Sequence, residues 1–443
     1  MPQAVGVTDT ARRGALSLLL RWESREGYAN LTADDGRLAA MPPRERAFMT
    51  ALFYGTVERR LRLDYAIGVL TARSPEALTP HTRAALRLGL YQLLYMPSVP
   101  PHAAVSESVA LGRDRGERAL LNAALRAAAD RAPTSLLPDE SRDPLRYLSV
   151  RESVPLPTVK YFAGRLGREA LVPLLSAFNT RPPLSMRVNT LKTTREALLS
   201  RLLTGGYAAR PDPLSPFGIL LDGTAAVTTL PGFSEGEFFV QDTASQLTTL
   251  LLDPHPHETV LDLCACPGGK SFGAAIAMGD TGRVISRDAR AAKLPLIREG
   301  AARLGLSSLT VEERDATLPD PAHEGTVDRI ICDVPCSGLG VIAKKPDLRY
   351  RPLSSVGELC ALSARILAAA ATALRPGGTM VFSTCTLTAE ENEDTVRAFL
   401  AAHPDVFAED FTLGPLSSKE GMLTLWPHLT GTDGFFMAKL RRT

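Results

Sequence analysis

The sequence predicts a chain built in three parts: an all-α N-terminal domain, a small α+β middle domain and a C-terminal α/β domain with a doubly wound parallel sheet. Three observations predict it. Apolar residues recur at helical spacing through the first 132 residues, strand and helix signals mix over residues 145–230, and from about residue 231 apolar strands alternate with longer helical stretches. The length of 443 residues agrees with about three domains at roughly 150 residues each. The boundaries are set at 1–138, 139–230 and 231–443.

The first part shows apolar residues three and four apart in Ala15, Leu16, Leu19 and Leu20, and again in Ala84, Leu88, Tyr91, Leu94 and Tyr95. Pro42, Pro80 and Pro101 fall near expected helix starts, where a missing N–H costs nothing. Arg131–Pro144, rich in Pro, Ser and Asp, reads as a linker. In the middle part, Leu184–Asn189 and Gly218–Leu221 read as strands and Thr194–Thr204 as a helix. In the last part the strands are Val260–Leu263, Arg283–Arg287, Leu309–Val311, Val327–Cys332 and Thr379–Ser383, an alternation with helices that predicts a parallel sheet.

Composition narrows the class. Hydrophobic residues make up 45% and charged residues 22%, enough apolar material for sizeable cores. The formal charge is +2 overall, but residues 1–132 carry 18 Arg, no Lys and 13 acidic residues. That Arg-rich stretch suits contact with phosphates, and equally a solvated helical surface. The N-terminal apolar stretch Ala15–Leu20 is too short for a secretory segment, and no uncharged run approaches the ~18 residues that cross a bilayer. Six cysteines, all beyond residue 260, lack disulfide-framework spacing. A reducing, cytoplasmic setting is expected, with no membrane partner.

One strand–turn–helix unit carries the strongest ligand signal: Val260-Leu-Asp-Leu-Cys-Ala-Cys-Pro-Gly-Gly-Lys270. Its glycines let a ligand approach the backbone, and the following helix offers free N–H groups. Cys264, Ala265, Cys266, Pro267, Gly268, Gly269 and Lys270 are the candidate turn residues. Asp288, Asp315 and Asp333 follow the next three strands, where ligands of open α/β sheets sit, and Asp288 is placed to accept hydrogen bonds from ribose hydroxyls.

Two further motifs each begin at a strand end: Asp333-Val-Pro-Cys-Ser-Gly-Leu-Gly340, running on to Lys344, Lys345, Arg349 and Tyr350, and Phe382-Ser-Thr-Cys-Thr-Leu-Thr-Ala-Glu-Glu-Asn392. Cys336 and Cys385 therefore face the same crevice, and a thiolate is a potent nucleophile whose formation is favoured by cations and helix N-termini. Lys344 and Lys345 are the cations expected near Cys336, and Thr388 with Glu391 the capping box of a helix after Cys385. Cys332, inside a strand, and Cys360, on a helix, read as small hydrophobes. The C-x-C and C-x₃-C spacings do not make a zinc site, and no metal is expected.

On these motifs the chain resembles the RsmB (Sun/Fmu) group of the NOL1/NOP2/Sun RNA cytosine-C5 methyltransferase family. Gly236–Leu247 and Thr432–Leu440 add to the likeness, as does Arg187-Val-Asn189 in the middle part. The N-terminal stretch, through Arg44–Phe48, Leu86–Leu94, Val99–Val105 and Leu121–Arg126, resembles the NusB-like RNA-binding domain. One departure is Cys266, where the family usually has alanine.

The resemblance implies a C-terminal Rossmann-like class I methyltransferase domain that uses S-adenosyl-L-methionine, bound by Cys264 through Lys270, Asp288, Asp315 and Asp333. It implies a substrate in small-subunit rRNA, met before full ribosome assembly, and a monomeric enzyme. The chemistry it implies needs a nucleophile, an acid and a base. Carbon 5 of cytosine cannot attack a methyl sulfonium until a thiolate has added at carbon 6, and the carbon-5 proton must then leave. Cys385, Asp333 and Cys336 fill those roles. The residues alone do not rank the two thiols; the resemblance makes Cys385 the nucleophile and Cys336 the residue that helps release product. The alternatives are the same chemistry on tRNA, and a non-catalytic RNA-binding or antitermination factor on a decayed scaffold.

Overall fold

A computed structural model of the chain describes residues 8–24, 41–223 and 225–443. By compactness it falls into two units, one of residues up to Thr180 together with Lys344–Arg351, the other of Arg181–Ala343 with Pro352–Thr443.

The first unit is helical: α1 (Thr8–Ser24), α2 (Pro43–Glu58), α3 (Arg60–Thr71), α4 (Pro80–Tyr95), α5 (Pro101–Val109), α6 (Arg115–Ala129), α7 (Pro144–Glu152) and α8 (Leu156–Ala177). Prolines do open helices, as expected: Pro43, Pro80, Pro101 and Pro144 each sit in a first turn, with Pro42 just outside. Side chains cap the exposed donors, with Thr79 accepting from the Thr82 N–H and Asp114 from the Glu117 N–H. The apolar stripes meet in a core that includes Leu19, Leu52, Phe53, Leu63, Ile67, Leu88 and Leu125.

One reading of this region changes. Arg131–Pro144 is not a free linker. It holds a short 3₁₀ turn, Pro133–Leu136, whose Leu136 is buried and whose carbonyls at Pro133 and Leu136 accept from the Arg62 guanidinium. Its Pro and Ser content excludes a regular element but not docking. The helices α7 and α8 fall in the same compact unit, which runs to Thr180. Arg349 and Tyr350, quoted with the Asp333–Gly340 motif, belong to this helical unit's interior. Arg349 is fully buried and donates to the carbonyls of Glu58 (3.0 Å) and Phe178 (3.2 Å) and to Asn179 Oδ1 (3.0 Å). The Tyr350 hydroxyl donates to the Val57 carbonyl at 2.6 Å, and the Arg60 guanidinium lies 3.8 Å from its ring centroid.

The second unit opens with a four-stranded antiparallel sheet in the order β2-β3-β1-β4: β1 (Leu184–Val188), β2 (Ala209–Pro211), β3 (Gly218–Leu221) and β4 (Phe238–Val240). One helix, α9 (Arg195–Thr204), is capped by Thr194 and packs Leu198 and Leu202 against Met186, Val188, Ile219 and Phe238. After α10 (Thr243–Leu252) come β5 (Thr259–Asp262), α11 (Gly269–Ala277), β6 (Arg283–Asp288), α12 (Leu294–Leu304), β7 (Leu309–Glu313), β8 (Val327–Asp333), α13 (Val356–Ala373), β9 (Leu374–Thr384), α14 (Glu393–Ala402), β10 (Val406–Ala408), β11 (Thr412–Leu413), β12 (Leu416–Ser417), β13 (Met422–Leu425) and β14 (Phe435–Arg442); β11 and β12 pair as a separate two-stranded sheet, and the other strands form the large one.

The order across the large sheet is β10-β14-β9-β8-β5-β6-β7, with β13 pairing β14 on a side path. β5 pairs in parallel with both β6 and β8, and β8 with β9, while β14 runs antiparallel to β9. Buried on both faces, these strands are continuous apolar runs, such as Ile330-Ile331-Cys332 and Met380-Val381-Phe382. The stretch Leu353–Ala373 is long and apolar enough, by length and composition alone, to cross a membrane. Its apolar side, through Ile366, Leu367 and Ala370, packs on Val327 and Ile330 of the sheet.

Because β5 lies between strands connected in opposite directions, the chain diverges at its carboxyl end. That leaves a crevice where loops from β5, β6, β7, β8 and β9 converge.

Candidate active site

The glycine turn is built as the sequence implies. From β5 the chain folds tightly, the Ala265 N–H donating to the Arg287 carbonyl (2.7 Å) and the Gly268 N–H to the Ala265 carbonyl (2.6 Å). Gly268 has φ +109°, and a Cβ there would strike the ring of Phe272, so only glycine fits the turn. The helix α11 starts at Gly269, and no side chain caps its first amides.

Beneath the turn, the Ser286 hydroxyl donates to Ser271 Oγ (2.8 Å) and Ser271 to Asp262 Oδ2 (2.7 Å). The other oxygen, Asp262 Oδ1, is buried without a partner. Burial pushes this carboxyl up to about 7, despite the hydrogen bond from Ser271. Asp288, at the end of β6, accepts from the Arg290 N–H at 3.0 Å. Asp315, two residues beyond β7, accepts from the Thr317 N–H (2.9 Å) and hydroxyl (2.8 Å), which hold its carboxyl below the usual range. Both carboxylates thus stiffen the loops that leave their strands.

The second cluster lies at the ends of β8 and β9, which are adjacent and pair Asp333 with Ser383. Asp333 Oδ1 accepts from the Ser383 hydroxyl (2.8 Å) and Oδ2 from Lys270 Nζ (2.7 Å). Lys270, expected among the cofactor-turn residues, therefore sends its ammonium to the acid of the other motif, with Ser245 Oγ at 3.4 Å. Cys336 Sγ and Cys385 Sγ are 3.3 Å apart. The loops carrying them are tied by the Gly340 N–H donating to the Cys385 carbonyl at 3.0 Å, and by the Gly434 N–H donating to the Gly340 carbonyl at 2.8 Å. A Cβ on Gly340 would collide with Gly434, so this approach needs glycine.

Lys344 and Lys345 fall in the segment grouped with the helical unit. The Cys336 thiol is pushed well up by the hydrogen bond with Cys385 and by burial, with Glu391 and Asp333 adding in the same direction. One expectation is corrected: a helix does not begin at Thr388. Helix α14 starts at Glu393, and the Thr388 hydroxyl donates to the Glu391 carboxylate at 2.6 Å, a side-chain pair and not a backbone cap.

The remaining cysteines divide by burial. Cys264 is pushed far up by burial, as is Cys332, which lies within the core of β8 as expected. Cys266 turns its sulfur to the Lys293 carbonyl at 3.7 Å, so the cysteine in the family's alanine position is accommodated by packing. Cys360, on α13, is pushed up by partial burial.

Sequence reasoning missed the partners that hold the site: the Lys270–Asp333 ion pair, the Ser383 hydroxyl and the Glu391 carboxylate. Each stands inside a quoted motif, so the signal was present. What was missing was the strand order that brings 270 to 333 and 337 to 391.

Comparisons with known proteins identify the family. The family described as 16S rRNA methyltransferase RsmB/F matches residues 249–441, the NusB family residues 9–130, and the ferredoxin-like domain of RsmF/B-like methyltransferases residues 159–228. The chain is 36% identical to "Probable ribosomal RNA small subunit methyltransferase B" of Bacillus subtilis over 97% of its own length and 98% of that protein. It is 34% identical to ribosomal RNA small subunit methyltransferase B of Sodalis glossinidius over 91% of each. Among solved structures, PH0851 superposes with a TM-score of 0.81 over 100% of both chains at 24% identity, a likeness of fold. With whole-length identity at this level, a helical NusB region, a ferredoxin-like sheet and a glycine turn at the β5 end, the chain belongs to the RsmB family of S-adenosylmethionine-dependent rRNA methyltransferases.

Proposed function

We propose that the protein methylates carbon 5 of a cytosine in small-subunit (16S) rRNA through a covalent Cys385–cytosine adduct, with Cys336 assisting release. The observation that carries the reading is the pair of thiols 3.3 Å apart at the ends of adjacent strands, beside an Asp333 held by Lys270 and Ser383. The choice of 16S rRNA rests on the family matched by residues 249–441 and on the names of the whole-length relatives.

S-adenosylmethionine supplies the methyl group. The residues at the crevice fit it: a Gly268 turn that leaves no room for a side chain, a helix N-terminus behind it, and the Asp288 and Asp315 carboxylates as acceptors for its hydroxyl and amino donors. Asp288 is assigned to the ribose hydroxyls.

The target base must be unstacked to reach thiols at a strand end. Cys385 Sγ, as thiolate, forms a bond to carbon 6 of the ring, and the electron pair of the 5,6 double bond moves to carbon 5. Cys336, whose thiol stays protonated well above its ordinary range, donates to the neighbouring sulfur and keeps that thiolate in place. Asp333, held by Lys270 and Ser383, is assigned to the ring's N3 edge, where its protonated carboxyl would donate to N3 as the thiolate adds. After methyl transfer the carbon-5 proton passes to a base in the site, the double bond re-forms and the sulfur–carbon bond breaks. Both thiols must stay reduced for this, which accords with the cytoplasm.

Bisulfite mapping of cellular RNA with and without the gene tests the substrate. Loss of one 5-methylcytosine in 16S rRNA is expected. Loss confined to tRNA moves the substrate, and no loss at all sinks the reading.

A further inference from the structure

Glu391 takes no part in the chemistry above, yet it is 1% exposed and fully engaged. Its Oε1 accepts from the Ser337 N–H at 2.7 Å. Its Oε2 accepts from the hydroxyls of Ser337 (2.6 Å), Thr388 (2.6 Å) and Thr386 (3.4 Å). Ser337 and Thr386 also share a hydrogen bond of 2.6 Å. Ser337 directly follows Cys336, and Thr386 directly follows Cys385. One buried carboxylate therefore grips the residue after each thiol-bearing residue.

We propose that Glu391 is a positioning residue that sets the separation of the Cys336 and Cys385 sulfurs, and through it the rate at which the covalent adduct is resolved. The proposal rests on the covalent reading above. The two loops leave different strands, and besides the Gly340 N–H, the Asp333–Ser383 pairing and the direct Ser337–Thr386 bond, this carboxylate links the residues that follow the two thiols. A buried anion is tolerable only when its lone pairs are met, and here three hydroxyls and one amide meet them. Removing the carboxylate leaves the Ser337 N–H buried without an acceptor, and the loop carrying Cys336 must shift to find one. The Cys385 loop keeps its place on β9, so the shift opens the gap between the sulfurs. Glutamine preserves the length and one oxygen for the Ser337 N–H, while hydroxyls can rotate to accept from its amide. Aspartate preserves the charge but falls one methylene short of spanning both loops.

The test compares the full-length parent with Glu391→Gln, Glu391→Asp and Glu391→Ala in two measurements. The first is the rate at which diamide couples Cys336 to Cys385, read by peptide mapping. Diamide takes up the two thiol hydrogens and is reduced as the disulfide forms; the Asp variant keeps the charge that acts on Cys336, so its rate against the parent reports sulfur–sulfur approach, and the Gln and Ala rates are divided by each variant's rate with a monofunctional alkylating agent. The second is single-turnover reaction with rRNA, scoring adduct formation and adduct release separately. Coupling and release are both expected to fall about 10–100-fold in the Asp and Ala variants, the loss of charge-assisted hydrogen bonds, with Gln close to the parent and cofactor binding unchanged in all three. Parent-like coupling in both Asp and Ala overturns the positioning role. Slowed coupling with parent-like release overturns the link to catalysis. If Glu391→Ala does not melt cooperatively, the Asp and Gln pair decides, because both keep a polar group in the pocket. Failure of the covalent reading is separately visible as undiminished turnover in Cys385→Ala, which leaves the coupling result standing.

Discussion

The helical unit and the carboxyl edge of the parallel sheet both bury charged groups, and they treat them in opposite ways. In the helical unit charges are neutralised. Arg87, nearly buried on α4, pairs with Asp64 through both carboxylate oxygens and with Glu23, and these partners outweigh burial to keep its guanidinium firmly protonated. Burial pushes Glu117 up, but hydrogen bonds from Thr82, Arg113 and His81 outweigh it and hold the carboxyl at about 2. At the sheet edge the balance goes the other way. Asp262 is driven to about 7 with one oxygen orphaned, and the Cys336 thiol is pushed up by its neighbour. Paired charges give a unit its shape. Groups held away from their ordinary protonation mark where chemistry is done.

The largest effect that sharpens this comparison is at the thiols. Cys385→Ala is expected to lower turnover by roughly 10⁴-fold or more and to form no covalent RNA complex. Cys336→Ala should instead accumulate a complex that survives denaturing electrophoresis, and the double variant should lose it. A stable complex in Cys385→Ala would reverse the two roles.

In the helical unit the corresponding loss is one of stability. Arg87→Ala strips the counter-charge from Asp64 and Glu23 and should cost about 3–5 kcal/mol in denaturant unfolding of that unit. A cost near zero would show that these pairs are as weak as exposed ones.

Asp262 makes the contrast pH-dependent. The folded carboxyl keeps its proton to about 7, against an ordinary value of 3.8. From about pH 4 to 7, an unfolded chain has released a proton that the folded one retains, so this group lowers stability as pH rises, by at most about 1.4 kcal/mol per pH unit, and its contribution levels off above 7. Asp262→Asn removes that slope. Its stability relative to the parent should therefore climb between pH 4 and 7 and then flatten. A constant difference would place Asp262 at an ordinary carboxylate value.

The smallest effect is on cofactor affinity. Asp288→Ala should weaken S-adenosylmethionine binding about tenfold by calorimetric titration, the loss of one charge-assisted hydrogen bond. Unchanged affinity would take Asp288 out of the cofactor site.

Much of this was legible in the sequence because it depends on local pattern. Period-3.6 apolar spacing and prolines at first turns mark the helices of the first unit. Apolar runs read as ending at Leu263, Arg287, Val311, Cys332 and Ser383 mark the parallel strands, within a residue or two of their observed ends at Asp262, Asp288, Glu313, Asp333 and Thr384. The Gly268–Gly269 turn and the two cysteine motifs announce themselves by composition. Burial and partnership were not legible. Arg349 and Tyr350 read as a continuation of the Asp333–Gly340 motif, yet the structure spends them on the interior of the helical unit. Lys270 looks like part of a cofactor turn, yet its ammonium lies on Asp333, 63 positions along the chain. Thr388 and Glu391 have capping-box spacing, but the carboxylate found Ser337 from another strand's loop and the helix begins later. A side chain's nearest neighbours in sequence fix the backbone conformation it favours, through sterics and local hydrogen bonds. Which distant donor meets its charge is fixed only when strand order closes the crevice, because the cost of burying an unpaired group is set by what the tertiary fold places within 3 Å of it.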